Sequence, residues 1–112
     1  MKKLIVIVRP ADREKVIDIM ESCAVYGAME TDITGYGNQK GYRVMYRGAM
    51  SGPNALIKCK FETVGDDRTI EAVKDFLEKK LCTGNIGDGK IFVEKVADVI
   101  RIRTGQHGEE AL

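Results

Sequence analysis

The apolar run Leu4-Ile-Val-Ile-Val8 predicts a central strand buried on both faces, and Pro10 stops it. From Ala11 to Ala24, Val16, Met20, Cys23 and Ala24 recur at helical spacing with Asp12, Arg13 and Glu14 outside. This predicts an amphipathic helix ending near Gly27. Met29 to Tyr36 reads as a weaker strand of mixed polarity. Leu56 to Val64 alternates cleanly, with Ile57, Cys59, Phe61 and Thr63 on one face and Lys58, Lys60 and Glu62 on the other. Asp66 and Asp67 cap a second helix with the core stripe Ile70, Val73, Leu77 and Leu81. Lys90 to Glu94 returns to strand, and Val99-Ile-Arg-Ile-Arg103 alternates again.

The order is strand–helix–strand, a long insert, strand–helix–strand and a further strand. Two successive βαβ units predict an α+β fold, a ferredoxin-like double βαβ sandwich with both helices on one face of an antiparallel sheet. The last alternating segment adds an extra C-terminal strand. The insert, Gly37 to Ala55, contains Gly37, Gly41, Gly48, Gly52 and Pro53 together with Lys40, Arg43 and Arg47. Few of its side chains suit a core, and loops longer than about 12–15 residues are usually functional or disordered. Its length and composition point to a binding arm.

Composition narrows the class. At 112 residues the chain reads as a single domain, residues 1–112, able to bury roughly two-thirds of its unfolded surface. The net charge of +1 gives no argument for nucleic acid. No segment is long and apolar enough to insert into a membrane, and no secretory signal follows the short run at Leu4–Val8. Cys23, Cys59 and Cys82 are odd in number and lack C-x-x-C spacing, so they read as reduced, small apolar residues. The expected location is cytoplasmic.

Candidate chemistry concentrates in residues 82–93, CTGNIGDGKIFV. Gly84 to Lys90 fits a Walker A pattern except that Ile91 replaces the Mg²⁺-binding hydroxyl. The order, helix before and strand after, is also the reverse of a P-loop. A P-loop NTPase is therefore excluded. Two readings of the loop stand side by side: an anion-binding nest of backbone amides with Lys90 beside it, or a helix C-cap at Gly84 followed by a turn. Arg101 and Arg103, at i and i+2 on a strand with Ile100 and Ile102 facing the core, favour the anion site. The only histidine, His107, has no partnered nucleophile or carboxylate in sequence, and it carries no argument for catalysis or a metal.

Three stretches, GYGNQKGYRVMYRGA (35–49), TGNIGDGKIFV (83–93) and VIRIRTGQHGEEAL (99–112), resemble the PII nitrogen-regulatory signal proteins over the full length of the chain. The resemblance implies a non-enzymatic homotrimer that binds ATP or ADP between subunits. In it, Gly87, Asp88, Gly89 and Lys90 wrap the phosphates, and Arg101 and Arg103 reach in from the adjacent subunit. Gly35, Gly37, Asn38, Glu62 and Val64 complete the pocket, with Asn38 standing where the family usually has arginine. The same resemblance implies that Mg²⁺-ATP supports binding of 2-oxoglutarate by Gln39, Lys40, Gly41 and Lys58. Gln39 would also be a metal ligand, and Lys58 would pair with the distal carboxylate.

The insert corresponds to the family's T-loop, which docks on targets such as ammonium channels, here through Tyr42, Tyr46, Arg47 and Ser51. Ser51 stands where many bacterial members carry a tyrosine that is uridylylated, so that modification has no acceptor at this position. Two other readings follow: a PII-like paralogue sensing adenine nucleotides for a different transporter or enzyme, and a weak ATPase using the same cradle.

Overall fold

The computed structural model describes residues 1–36, 45–46, 49–50 and 55–112. Strand β1 (Lys2–Val8) leads through a 3-10 turn (Pro10–Asp12) into α1 (Arg13–Ser22) and then β2 (Ala28–Tyr36). Two short segments, β3 (Met45–Tyr46) and β4 (Ala49–Met50), pair antiparallel within the insert. Then come β5 (Ala55–Gly65), α2 (Asp67–Leu81), β6 (Lys90–Lys95) and a C-terminal 3-10 turn (Gly108–Ala111). The main sheet has the order β2-β5-β1-β6, and every neighbouring pair is antiparallel. This is the ferredoxin-like α+β sandwich that the doubled strand–helix–strand pattern predicts.

The core forms where α1 and α2 cover one face of the sheet. Leu4, Val6 and Val8 of β1 and Cys59, Phe61 and Thr63 of β5 meet Val16, Ile19 and Met20 of α1 and Ile70, Val73, Leu77 and Leu81 of α2. The alternation in β5 and the stripe in α2 are realised as read, except that Ile57 is only half-buried. Asp66 caps α2, its Oδ1 accepting from the Thr69 amide at 2.9 Å while the Thr69 hydroxyl returns a bond to Oδ2. These bonds hold the Asp66 carboxyl below its ordinary pKa, the Thr69 amide contributing most.

Four features differ from the sequence reading. β1 is buried on one face only, because Ile5 and Ile7 point to the sheet face that carries no helix and remain half-buried. Asp12, expected outside, is buried at 8% exposure because Arg9 and Lys15 neutralise it. Ala24 is exposed instead of joining the core stripe, because α1 has already ended. Its φ of +61° sits in a Schellman cap, with Val25 N–H bonded to Met20 O at 2.8 Å and Ala24 N–H to Glu21 O at 3.0 Å.

The fourth difference is the extra C-terminal strand. Val99–Arg103 makes one isolated antiparallel bridge, Ile100 to His107, in place of a strand in the sheet. The segment closes on itself: the Arg101 amide bonds Gln106 O at 3.0 Å and the Gly105 amide bonds Arg101 O at 2.8 Å. Asp98 ties the base, accepting from the Gly108 amide at 3.1 Å and lying 3.0 Å from His107 Nδ1. His107 thus has a carboxylate partner that sequence spacing did not reveal. Ile100 and Ile102, read as core residues, are 56% and 97% exposed.

The cap at Ala24 generates a stability test. A non-glycine residue in the left-handed region costs about 1 kcal/mol, partly offset by glycine's larger unfolded-state entropy. Ala24→Gly is expected to stabilise the fold by up to about 1 kcal/mol, read as a higher urea midpoint at unchanged slope.

Candidate functional site

The loop between α2 and β6 is built by one carboxylate. Asp88 folds back to accept from the Thr83 amide at 2.7 Å and the Gly84 amide at 3.1 Å, and also from the Thr83 hydroxyl. Arg9, just beyond β1, donates its Nη2 to the same carboxylate. Thr83 contributes most to the lowering of the Asp88 pKa to about 2, with Arg9 adding to it. The Asp88 side chain is therefore committed to shaping the loop, and its negative charge is turned toward donors of the protein itself.

Gly89 holds the loop against the sheet. Its φ is +101°, and a Cβ there would sit 2.0 Å from the Ile7 carbonyl oxygen and 3.3 Å from Val8 Cα. No side chain fits, because the obstacle is backbone. The loop can lie on the end of β1 only with glycine at this position. Gly87, with φ of +105°, shares the left-handed geometry two residues earlier.

This close approach makes one wall of a cleft of about 440 Å³ on the helix-free face of the sheet. Gly87, Gly89 and Lys90 form that wall, and Gly35 and Lys58 from the ends of β2 and β5 form the opposite one. Ile7, Ile33, Leu56, Ile86 and Phe92 supply apolar surface between them. The glycines and both lysines were identified in sequence. The apolar residues were missed as site residues, although Ile86, 78% exposed within a polar loop, stands out once the structure is known. Gly35 lies directly beside the Lys58 stem, where a Cβ would meet Lys58 Cγ at 3.6 Å, an ordinary van der Waals contact. Burial, reinforced by the Arg9 charge, lowers the Lys58 pKa.

The remaining candidates lie elsewhere or outside the described residues. Glu62 and Val64 share the open face, opposite Ile5 and Lys3 of β1 and beyond the cleft. Glu62 pairs with Lys3 at 3.0 Å and Lys60 at 3.5 Å, and the Lys3 hydrogen bond leads in lowering its pKa. Arg101 and Arg103 do not line the cleft of their own chain. Arg101 Nη2 instead donates to the Leu112 main-chain oxygen at 2.7 Å. Gly37, Asn38, Gln39, Lys40, Gly41, Tyr42, Arg47 and Ser51 lie outside the described residues, and Tyr46 is described only as backbone. A second groove of about 380 Å³, between α2 and β6 on the helix side, gathers Lys74, Leu77, Glu78 and Leu81. Its lining also includes Asp88, Gly89 and Lys90, so two lysines meet two carboxylates, Glu78 and Asp88, and a largely apolar wall, a poorer fit to a polyanion than the open-face cleft.

The geometry defines a ferredoxin-like protein with a glycine-lined, lysine-flanked cleft on its open sheet face. Comparison with known proteins gives this class its family. The family described as nitrogen regulatory protein P-II matches residues 1–106. Nitrogen regulatory protein GlnK of Escherichia coli K12 is 42% identical over 112 residues, covering 100% of both chains. Nitrogen regulatory protein P-II 1 of Methanothermobacter thermautotrophicus is 39% identical, covering 100% of this chain and 97% of the relative. Among solved structures, B. subtilis GlnK superposes with a TM-score of 0.79 at 33% identity, covering 99% of this chain and 97% of that one. The B. subtilis GlnK–ATP complex gives 0.80 at 32% identity, covering 99% and 94%. The chain belongs to the P-II family of nitrogen-regulatory signal proteins.

Two outcomes are expected of the loop. The Asp88 carboxyl is depressed from its ordinary 3.8 to about 2, so its stabilising contribution is fully present above about pH 4 to 5 and is lost as pH falls toward 2. Its ¹³Cγ resonance is expected to titrate with a midpoint near 2. A midpoint at the ordinary value would mean that the carboxylate does not hold the loop. Gly89→Ala is expected to displace the loop from β1, seen as accelerated amide exchange at Thr83 and Gly84 with the remaining core amides still protected.

Proposed function

We propose that the chain is a non-enzymatic, homotrimeric sensor that binds ATP or ADP in the open-face cleft and signals to a target protein through the insert. The convergence of Gly35, Lys58, Gly87, Gly89 and Lys90 on one cleft carries this reading. Glycine amides and Lys90 suit phosphate oxygens, and the apolar strip from Ile7 to Phe92 suits a nucleobase. The ATP named with the B. subtilis relative supports the same choice of ligand. Residues 1–112 act as one cytoplasmic signalling domain; among the described residues no helix is long and apolar enough to cross a membrane.

The trimer completes what one chain lacks. Arg101 and Arg103 stand outside their own cleft, beside Ile102 with 97% of its surface exposed. An adjacent subunit would cover that isoleucine and receive the two guanidiniums beside its phosphates. Glu62 and Val64, on the open face, would complete the pocket from the interface, with Gly37 and Asn38 closing it from the insert.

The residues present also fit 2-oxoglutarate. Lys58 offers a partly desolvated ammonium at the cleft wall for the distal carboxylate, while Gln39, Lys40 and Gly41 hold the other end. Gln39 would help hold Mg²⁺, which would supply positive charge to the anionic ligands and so support 2-oxoglutarate binding beside ATP. Metabolite state then selects an insert conformation, and by linkage the partner changes metabolite affinity by the same factor. Tyr42, Tyr46, Arg47 and Ser51 form the contact surface for the target, for which an ammonium channel is the leading candidate. Ser51 in place of a modifiable tyrosine favours control by ligands alone, or a different target served by the same nucleotide sensor.

Calorimetry tests the assignment. ATP and ADP are expected to compete for one site per chain, and Lys90→Ala or Arg103→Ala to weaken both about tenfold or more. Lys58→Ala is expected to abolish 2-oxoglutarate binding while ATP still binds; an unchanged 2-oxoglutarate response would remove Lys58 from the site. Because Lys58 begins below its ordinary pKa, carboxylate binding raises it. The complex should take up protons, and affinity should fall as pH rises through the lowered Lys58 pKa.

A further inference from the structure

Sequence patterning gave Arg9 no role; it follows the last residue of β1 and precedes Pro10. In the structure its guanidinium spans two carboxylates of different segments. Nε donates to Asp12 Oδ2 at 3.1 Å, in the turn that opens α1, and Nη2 donates to Asp88. Asp12 is buried at 8% exposure, so this end of the fork is anchored in the fold. Asp88 in turn holds the Thr83 and Gly84 amides, which set the path of the chain into Gly87 and Gly89. One side chain thus connects the start of α1 to the glycine loop across a sequence separation of 79 residues.

We infer that Arg9 is a positioning residue for phosphate binding: it tethers the glycine loop and cancels the Asp88 charge beside the anion site. The inference rests on the nucleotide reading of the cleft proposed above. Two physical effects act in the same direction. Planar guanidinium donors at fixed angles orient both carboxylates at once, which a single ammonium cannot do. The other groups bonded to Asp88 are neutral amides and a hydroxyl, so without Arg9 a carboxylate in the phosphate loop would keep its full negative charge and oppose an incoming polyphosphate. Preorganisation of the loop and neutralisation of Asp88 both favour the bound state without any contact between Arg9 and the phosphates.

The test is a double-mutant cycle in the full-length protein, with ATP as the probe. Arg9→Gln is expected to weaken ATP binding roughly tenfold. In nucleotide-free protein it should also speed amide exchange at Thr83 and Gly84. Adding Asp88→Asn removes the exposed charge, so the double variant should bind ATP no more weakly than Arg9→Gln alone. Arg9→Lys keeps the charge but loses the fork and should fall between wild type and Arg9→Gln; it also provides a folded comparison if Arg9→Gln proves unstable. Arg13→Gln, whose partners are Glu14 in the first turn of α1 and Glu30 on β2 and not Asp88, should leave ATP affinity unchanged. Additive losses from Arg9→Gln and Asp88→Asn, or unaltered exchange at Thr83 and Gly84, would overturn the inference. If the wild type itself binds no ATP, the nucleotide reading fails, while the exchange rates still decide whether Arg9 holds the loop.

Discussion

Where β6 begins, the backbone at Gly89 runs so close to β1 that a Cβ would lie 2.0 Å from the Ile7 carbonyl oxygen. That approach places the loop from α2 over the end of the central strand and turns an open sheet face into a walled cleft. The two strands that meet there are themselves fixed by the core, since Val6 pairs with Ile91 across the ladder and is fully buried under the helices. Moving the loop would therefore require either a break in the β1–β6 ladder or a distorted backbone at 89. The site inherits its rigidity from the hydrophobic core through a backbone contact, a more precise support than a side chain on a mobile loop provides.

Charge then decides what the cleft can hold. Asp88 would be an unfavourable neighbour for an anion, but its carboxylate is saturated by Thr83, Gly84 and Arg9. Lys90 and Lys58 are left facing the cleft from opposite walls. The missing Walker hydroxyl at Ile91 acquires a structural meaning. Ile91 belongs to the helix face of β6 and packs against the core, so the residue after Lys90 points away from any phosphate. Under the proposed function such a loop would bind and orient phosphates, while residue 91 contributes no hydroxyl to a metal.

Much of this was legible in the chain itself. Period-2 alternation in β5 and the 3.6-residue stripe of α2 are local signals, and both emerged with the expected buried residues apart from the half-buried Ile57. The glycine loop was legible because glycine spacing and Lys90 are adjacent in sequence, and the motif resemblance to the P-II family was specific. Long-range electrostatics were not legible: nothing near Arg9 or Asp12 announces a partner at residue 88, and Asp98 gives no sign of His107. The helix end at Ala24 was obscured because alanine occupies a left-handed position that usually carries glycine. The segment Val99–Arg103 alternates like a strand, yet its backbone bonds within its own turn, and its isoleucines stay exposed in the single chain. Alternation reports which side chains would be buried together. It does not report whether the covering surface belongs to the same molecule.

The central claim is that nucleotide occupies the open-face cleft beside Gly89. Amide chemical-shift mapping during an ATP titration tests it directly. The account predicts that the large shifts cluster at Gly35, Lys58, Gly87, Gly89 and Lys90, extending to Arg101 and Arg103 in the assembled protein. Shifts centred instead on Lys74 and Glu78 in the helix-side groove, or no saturable shifts at all, would contradict it.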